Sequence, residues 1–266
     1  PAVVETTGAT IVYACLEAGN GFQLDVKLIE SLITDKTCAI LLNSPSNPSG
    51  TVFSRADIST LVSLCRSHSI WLVSDEVYAS LVFDGEFTSP LHIPGSEEIA
   101  VVLRSLSKSH AMSGWRLGWS ISSPRFAHAL TELSQPMLFG VSQFIQDAAL
   151  TALERTQQIV PQIREIFLSR RNYLCARLEQ IPGLVVHRPS GGMFALVDIS
   201  QFGCDGNVFA NRLLDTVGVS VVPGFAFGET TVNYIRIGFS QDMERLKEAM
   251  DRIARFAEEA LQDRAI

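Results

Sequence analysis

Apolar runs of strand length alternate with segments of helical periodicity along the first half of the chain. The apolar runs lie at residues 38–42, 70–74, 99–103 and 117–121. Between them, residues 25–33 and 54–68 have apolar positions at helical spacing, with Ser54 as an N-cap, and a short helix is predicted from Pro124. Continuous apolar strands that alternate with helices predict a mostly parallel sheet sandwiched by helices, and the first strand is expected to be buried on both faces.

The second half of the chain has a different order of elements. Helical patterns cover residues 142–153, 159–181, 206–217 and 241–262, and short strands are predicted at 184–186, 193–197, 219–222 and 233–239. We therefore predict two domains. Residues 1–157 would form a large α/β domain, and residues 158–266 a small C-terminal α+β domain.

Polar residues follow three of the predicted parallel strands at the point where each strand ends. Asn47 follows the first strand, Asp75 and Tyr78 follow the second, and Lys108 follows the third. Open α/β sheets bind their ligands at the carboxyl edge of the strands. The sequence therefore predicts that these side chains face one crevice.

The chemistry of this crevice is indicated first by Lys108. A lysine at the end of a buried strand can lose its proton and attack a carbonyl group as a free amine. Arg116 is a fixed cation suited to a phosphate, and Ser105 and Ser107 add hydroxyl groups nearby. A Schiff-base lysine beside a phosphate cradle is the minimum set of groups for pyridoxal phosphate. The alternative is a solvated loop with scattered charges.

Composition and charge narrow the class of protein. The chain has 266 residues, of which 47% are hydrophobic, and a net charge of -7, which argues against nucleic acid or an anionic membrane as the main partner. The 5 cysteines are scattered without a C-x-x-C pair, and the histidines lack metal-ligand spacing. We therefore expect mostly buried, reduced thiols, no metal site and a cytoplasmic location. No signal-peptide pattern or membrane span is apparent, and a chain that starts at Pro1 without methionine is expected to be part of a longer enzyme.

Several motifs together resemble the class I/II aminotransferases, a family of fold-type I enzymes that depend on pyridoxal phosphate. Residues 43–50 resemble the family's N-x-P-x-N-P-T-G loop, and residues 74–78 its D-E-x-Y strand end. Residues 105–108 with 114–116 resemble the lysine motif, and residues 233–238 the late arginine strand. The order and separation of these motifs make a chance match improbable. The resemblance implies a large and a small domain, amino acid and 2-oxo acid substrates, and a homodimer.

The resemblance also implies roles for the residues that contact the cofactor ring. Asp75 would pair with the protonated pyridine nitrogen and keep the ring cationic, so that the ring can accept electrons from the substrate Cα. Tyr78 and Asn47 would donate hydrogen bonds to the phenolic oxygen of the ring. Lys108 would form the Schiff base and then, as a free amine, move a proton between the substrate and the cofactor.

Further roles concern the phosphate and the substrate. Ser105 and Arg116 would bind the phosphate, and Ser107 is either a third phosphate ligand or an ordinary polar loop residue. Arg236 would bind the α-carboxylate of the substrate through a bidentate pair, and Asn47 is expected to contact the substrate as well. Residues 191–194 resemble the family's turn that faces the substrate, although a simple tight hairpin fits them equally well.

Two departures from the family pattern affect the expected function. The part of the family that carries the glycine-rich phosphate loop and the residue that stacks on the cofactor ring has no counterpart here. In addition, residues 137–144 hold no cation, whereas dicarboxylate-specific members place an arginine in this region. Residues 105–116 and 137–149 look most like the arginine–pyruvate transaminases, so arginine and pyruvate are the expected substrate pair.

Two alternative functions remain at this stage. One is a lyase that uses pyridoxal phosphate on the same fold, since its cofactor residues would be identical. The other is an aminotransferase-like domain that senses the cofactor in a transcription regulator. The presence of Arg236 together with the cofactor residues favours catalysis, because a cofactor sensor has less need of a substrate clamp.

Overall fold

The structure is a computed structural model and describes residues 2–262. The strands are β1 (Ala39–Asn43), β2 (Trp71–Asp75), β3 (Ala100–Ser105), β4 (Gly118–Ile121), β5 (Val185–His187), β6 (Phe194–Asp198), β7 (Val222–Pro223) and β8 (Tyr234–Gly238). The helices are α1 (Ala2–Glu5), α2 (Val26–Leu32), α3 (Arg55–His68), α4 (Leu106–Ser109), α5 (Pro124–Leu138), α6 (Gln143–Glu154), α7 (Thr156–Leu178), α8 (Gly206–Val217) and α9 (Met243–Gln262).

The first sheet has the strand order β1-β2-β3-β4. The first three strands are parallel, as predicted, and β4 is antiparallel to β3. Helix α3 begins at its predicted N-cap, where the Ser54 hydroxyl oxygen accepts the N–H of Asp57, and its apolar stripe packs on Leu42 and Leu72. This packing fixes the sheet from one side and leaves the carboxyl ends of the three parallel strands at one edge.

The prediction that the first strand is buried on both faces is wrong for the described residues. Leu42 is 5% exposed, but Leu41, which points to the other face, is 66% exposed. β1 lies at the edge of the sheet, and α3 covers one side of it. Neighbouring side chains of a strand point to opposite faces, so a continuous apolar run does not by itself show that both faces are covered.

The second sheet is antiparallel, with the strand order β5-β6-β8-β7. Helices α7, α8 and α9 pack against it and contribute Leu174, Leu213 and Ile253 to its core, each 0% exposed. Tyr78 and Leu81, which follow the first sheet's β2, belong to this same core. The proposed division into domains at residues 157 and 158 stays a prediction, and its outer limits at residues 1 and 263–266 lie outside the described residues.

Several element boundaries differ from the prediction. α5 spans 15 residues and is not short, and α7 begins at Thr156 and ends before the predicted stop at residues 182–183. Of the predicted strand 219–222 only Val222 belongs to β7, which pairs with β8. The cysteines are not mostly buried either, because only Cys65 and Cys175 are. Isolated apolar residues do not specify whether a neighbouring element will cover or pair with them.

Candidate active site

The carboxyl ends of β1, β2 and β3 lie side by side. The strand register aligns Asn43 with Asp75 and Asp75 with Leu103. Asn43 Nδ2 donates to the Asp75 carbonyl oxygen at 3.2 Å, and Asn43 Oδ1 accepts the N–H of Asn47 at 2.7 Å. The Asn43 side chain therefore anchors the Asn47 loop to the strand end that carries Asp75. Sequence reasoning gave Asn43 no role, although it is the last residue of β1 and the first of the loop motif.

The same loop is also joined to the turn that leads into β6. The Gly191 N–H donates to the Gly50 carbonyl oxygen at 2.9 Å. Gly50 has φ +71°, and a Cβ built on it would lie 2.3 Å from Pro189 Cβ. Only glycine adopts this conformation readily and leaves the other backbone room to approach. The loop therefore lies between the two sheets.

Asp75 is a partly buried carboxylate at the centre of this edge. Burial raises the pKa of Asp75, and a hydrogen bond at 3.1 Å from the Val77 N–H to Oδ1 lowers it in part. Within residues 2–262 no lysine, arginine or histidine forms an ion pair with it. A cation placed against this carboxylate would offset the desolvation and favour its charged form.

Tyr78 is buried at 8% exposure, and its ring meets the ring of Phe194 edge-to-face at 5.2 Å. Burial raises the pKa of its hydroxyl group, the positive charge of Arg236 lowers it, and the negative charge of Asp75 raises it. These electrostatic effects mean that Tyr78, Asp75 and Arg236 lie near one another. The Tyr78 hydroxyl has no hydrogen-bond partner in the described part of the chain.

Lys108 is located on α4, which packs against the turn Ala79–Leu81 directly after Tyr78. Its side chain is half-buried, and its amine makes no hydrogen bond or ion pair with another described residue. His110, two positions later, lies within hydrogen-bond distance of Ser109 at 2.8 Å and of Thr156 at 3.2 Å. These contacts support α4 and leave the amine available.

Of the three predicted phosphate ligands, Ser105 and Ser107 are in contact with each other, and Arg116 is not hydrogen-bonded to either. The Ser105 hydroxyl oxygen caps α4 by accepting the Ser107 N–H at 3.0 Å, and the two hydroxyl groups lie 2.9 Å apart. Arg116 is exposed, has φ 54°, and donates from Nη1 to the Ser113 carbonyl oxygen at 2.9 Å. It follows the turn Ser113–Trp115, which packs on α4, but it forms no hydrogen bond with either serine.

Arg236 extends from β8 toward the loop that follows β1 and carries Asn47. Its Nη1 donates to Asn47 Oδ1 at 2.8 Å, so two of the residues predicted from distant motifs are in direct contact. Burial lowers the pKa of the guanidinium group, and its Nε is buried without a hydrogen-bond partner among residues 2–262. No carboxylate of the described residues forms an ion pair with it. A half-buried cation of this kind is suited to an anionic ligand.

An ion pair with a buried carboxylate connects the end of β2 to β3, and sequence reasoning did not identify it. Glu76 is 1% exposed, receives a hydrogen bond from Ser89 at 2.6 Å, and pairs with Arg104 at 2.5 Å. Glu76 directly follows Asp75, and Arg104 directly precedes Ser105. The pair therefore joins the strand end that carries Asp75 to the strand that leads to α4.

The free polar groups of this edge fit pyridoxal phosphate. Among the described residues the Asp75 carboxyl group has no cationic partner, and it suits a protonated pyridine nitrogen. The Tyr78 hydroxyl has no partner within residues 2–262 and suits the phenolic oxygen of the ring. Lys108 offers an uncommitted amine for the aldehyde. Within residues 2–262 no group of His, Cys, Asp and Glu side chains is arranged to hold a metal ion.

Comparison with known proteins gives the same picture. Residues 1–253 match the family described as aminotransferase class I and II. The arginine–pyruvate transaminase AruH of Pseudomonas aeruginosa is 45% identical over 260 residues, which are 98% of this chain and 66% of that protein. The putative aminotransferase YugH of Bacillus subtilis is 35% identical over 96% of this chain and 66% of its own length.

Solved structures show the same fold. The aspartate aminotransferase of Thermus thermophilus with maleate superposes with a TM-score of 0.89 at 32% identity, over 96% of this chain and 66% of that one. That of Thermotoga maritima gives 0.84 at 34% identity, over 90% and 62%. The chain thus belongs to the class I and II aminotransferases, a family that uses pyridoxal phosphate. It spans just under two thirds of the length of the curated relatives named above, at 66% of each.

No helix within residues 2–262 combines the length and the apolar character needed to cross a membrane.

Proposed function

We propose that the protein is an aminotransferase that uses pyridoxal phosphate to move an amino group from an amino acid to a 2-oxo acid. The observation that carries this proposal is the environment of Arg236. Its guanidinium group is half-buried, binds Asn47, and has no anionic partner among the described residues. Both substrates of an aminotransferase carry an α-carboxylate, and this is the anion that a guanidinium group binds in bidentate geometry.

The cofactor, when bound, supplies an electron sink for the negative charge that develops at the substrate Cα. Asp75 would accept the hydrogen bond of the pyridine nitrogen, and Tyr78 and Asn47 would donate to the ring oxygen. Lys108 would hold the cofactor covalently. After the substrate displaces it, its free amine would take the proton from the substrate Cα and pass it to C4′ of the cofactor, first as a general base and then as a general acid.

The other proposed ligands orient the reactants. Ser105, Ser107 and Arg116 would bind the phosphate group, with Arg116 turning away from the Ser113 carbonyl oxygen to do so. Arg236 would fix the α-carboxylate and thereby determine which Cα bond stands perpendicular to the ring.

We propose arginine as the amino donor and pyruvate as the acceptor. The 45% identity to a protein named arginine–pyruvate transaminase supports this pair. The absence of a cation from residues 137–144 gives further support, because a second carboxylate on the substrate would find no partner there. A homodimer, a cytoplasmic location and the division into domains at residues 157 and 158 are also proposals.

The test uses the full-length protein loaded with pyridoxal phosphate. Single amino acids are added, and the absorbance of the cofactor and the formation of alanine from pyruvate are followed. Arginine should change the absorbance, and alanine should form only when both substrates are present. Consumption of more than one equivalent of the amino acid per site, without an added 2-oxo acid, would instead indicate a lyase.

A matched pair of lysine variants completes the test. Lys108→Ala should abolish both the covalent attachment of the cofactor and the transfer, whereas Lys247→Ala, on the exposed face of α9, should leave both unchanged. A cofactor that is still covalently trapped by borohydride in Lys108→Ala would disprove the assignment.

A further inference from the structure

We propose that Phe227 is a positioning residue for the substrate carboxylate. Together with Phe194 it would hold the guanidinium group of Arg236 between two aromatic rings, with its free Nη donors directed to the ligand. The inference rests on the proposed function, since it assigns a role to a residue next to the proposed carboxylate clamp. No motif described above includes Phe227.

The geometry of the contact is direct. The Cζ atom of Arg236 lies 4.8 Å from the ring centroid of Phe227 and 5.1 Å from that of Phe194. Both distances are within the range of about 6 Å over which a cation is attracted to an aromatic face. Phe194 is itself fixed, because it is 3% exposed and packs edge-to-face on Tyr78. Phe227 therefore provides the second, more accessible ring of the pair.

The position of Phe227 follows from the strand pairing. Val222 of β7 is the register partner of Arg236, and the turn Gly224–Phe227 begins directly after β7. A Cβ on Gly224 would lie 1.8 Å from the carbonyl oxygen of Thr231, so only glycine allows this close approach. The Thr231 hydroxyl donates to the Gly224 carbonyl oxygen at 2.8 Å and holds the turn in place. The turn that carries Phe227 is thus fixed next to the arginine.

The rings restrict what the guanidinium group can bind. Aromatic faces attract the cation but accept no directional hydrogen bond from its edge, so the donors remain available for a carboxylate. Nη1 already donates to Asn47, and Nε is buried without a partner. A planar guanidinium group can stack between two rings, whereas a lysine ammonium group cannot. The arrangement therefore pre-orients Arg236 before the substrate arrives and reduces the cost of ordering it.

The test compares three variants of the full-length, cofactor-loaded protein. Phe227→Leu keeps an apolar side chain but removes the aromatic face, Phe227→Tyr keeps the face, and Phe225→Leu is the control in the same turn. Phe225 is 56% exposed and makes no cation–π contact within the described residues. The measurements are KM and kcat for both substrates, the inhibition constant of the inert monocarboxylate propionate, and the melting temperature.

We expect Phe227→Leu to raise both KM values and the propionate inhibition constant by roughly 5- to 30-fold, which corresponds to about 1 to 2 kcal/mol of cation–π energy. The value of kcat should change little, because the clamp binds the ground state and the transition state alike. Phe227→Tyr should restore the wild-type constants, and Phe225→Leu should match the wild type. A fall in kcat and melting temperature with unchanged KM would indicate a merely structural role and overturn the proposal.

A further variant separates this proposal from the proposed function. Arg236→Lys should weaken propionate at least as strongly as Phe227→Leu does. If Arg236→Lys leaves the inhibition constant unchanged, Arg236 is not the carboxylate clamp, and the proposed function and this inference both fail. If Arg236→Lys weakens propionate but Phe227→Leu does not, the clamp stands and only the role of Phe227 is refuted.

Discussion

Arg171 and Asp84 form an ion pair in which Arg171 is the more buried partner. We predict that replacing Arg171 lowers the free energy of unfolding less than replacing Asp84 does. Arg171 lies on α7 and is 2% exposed, and its Nη2 donates to Asp84 Oδ1 at 3.2 Å. Its Nη1 donates to the same carboxylate and, at 3.0 Å, to the Pro189 carbonyl oxygen, and the guanidinium group stacks 5.2 Å from the Phe83 ring centroid. These contacts of Arg171 hold the segment that follows Tyr78 in the core of the second sheet.

The expected loss of stability in each variant depends on which charged group remains without its partner. Asp84→Ala leaves a buried cation without its counter-ion, which typically costs about 3 to 5 kcal/mol. The Asp84 side chain is 55% exposed, so water can reach the site, and we reduce the expected cost to about 2 to 3 kcal/mol. Arg171→Met leaves Asp84 free to be hydrated and fills most of the space, so it should cost only about 1 to 2 kcal/mol.

The assay is urea unfolding of the full-length protein as a double-mutant cycle. The variant with both Asp84→Ala and Arg171→Met should be more stable than Asp84→Ala alone, because it contains no unpaired buried charge. If the two single costs simply add, or if Arg171→Met costs more than Asp84→Ala, the reasoning from burial is refuted.

The same pair has a pH dependence with a definite sign. The hydrogen bond from Arg171 holds the pKa of Asp84 below its ordinary value. A carboxylate with a depressed pKa contributes stability that is present above the unfolded value, about 3.9, and is lost as the pH falls through the folded value. The stability difference between wild type and Asp84→Ala should therefore shrink on acidification below about pH 4.

Two further predictions concern the Asn47 loop and a partly buried histidine. Gly50→Ala should lower the free energy of unfolding by at least about 2 kcal/mol and slow amino-group transfer, because its Cβ would lie 2.3 Å from Pro189 Cβ. Gly85→Ala is the control, since Gly85 also has a positive φ but nothing lies within 4 Å of its Cβ. Equal urea midpoints for the two variants would contradict the reasoning. Burial lowers the pKa of His187, so its neutral form is favoured in the folded state. Stability should then fall as the pH drops below about 6.5, and His187→Gln should flatten this dependence in urea unfolding between about pH 7 and pH 5; an identical slope would argue against it.

Local signals in the sequence were sufficient for most elements of the fold. The apolar runs predicted the first three strands and their parallel direction, and the N-cap at Ser54 fixed the start of α3. These features depend on backbone propensity and hydrophobic period, which act over a few residues. The position of Asn47, Asp75 and Lys108 after strand ends was also predictable, because parallel strands place their carboxyl ends at one edge.

Contacts between distant segments were beyond the sequence. Asn47 and Arg236 are 189 positions apart in the sequence, yet they form a direct hydrogen bond. Phe227 contacts Arg236 only because β7 pairs with β8. The exposure of Leu41 and the entry of Tyr78 into the core of the second sheet depend equally on what packs against them. The sequence by itself thus determined most of the elements, the parallel direction of the first three strands and the residue types of the candidate site. Only the tertiary structure decided which polar groups are left unpaired and which rings enclose the arginine, because those properties arise from packing between elements far apart in the chain.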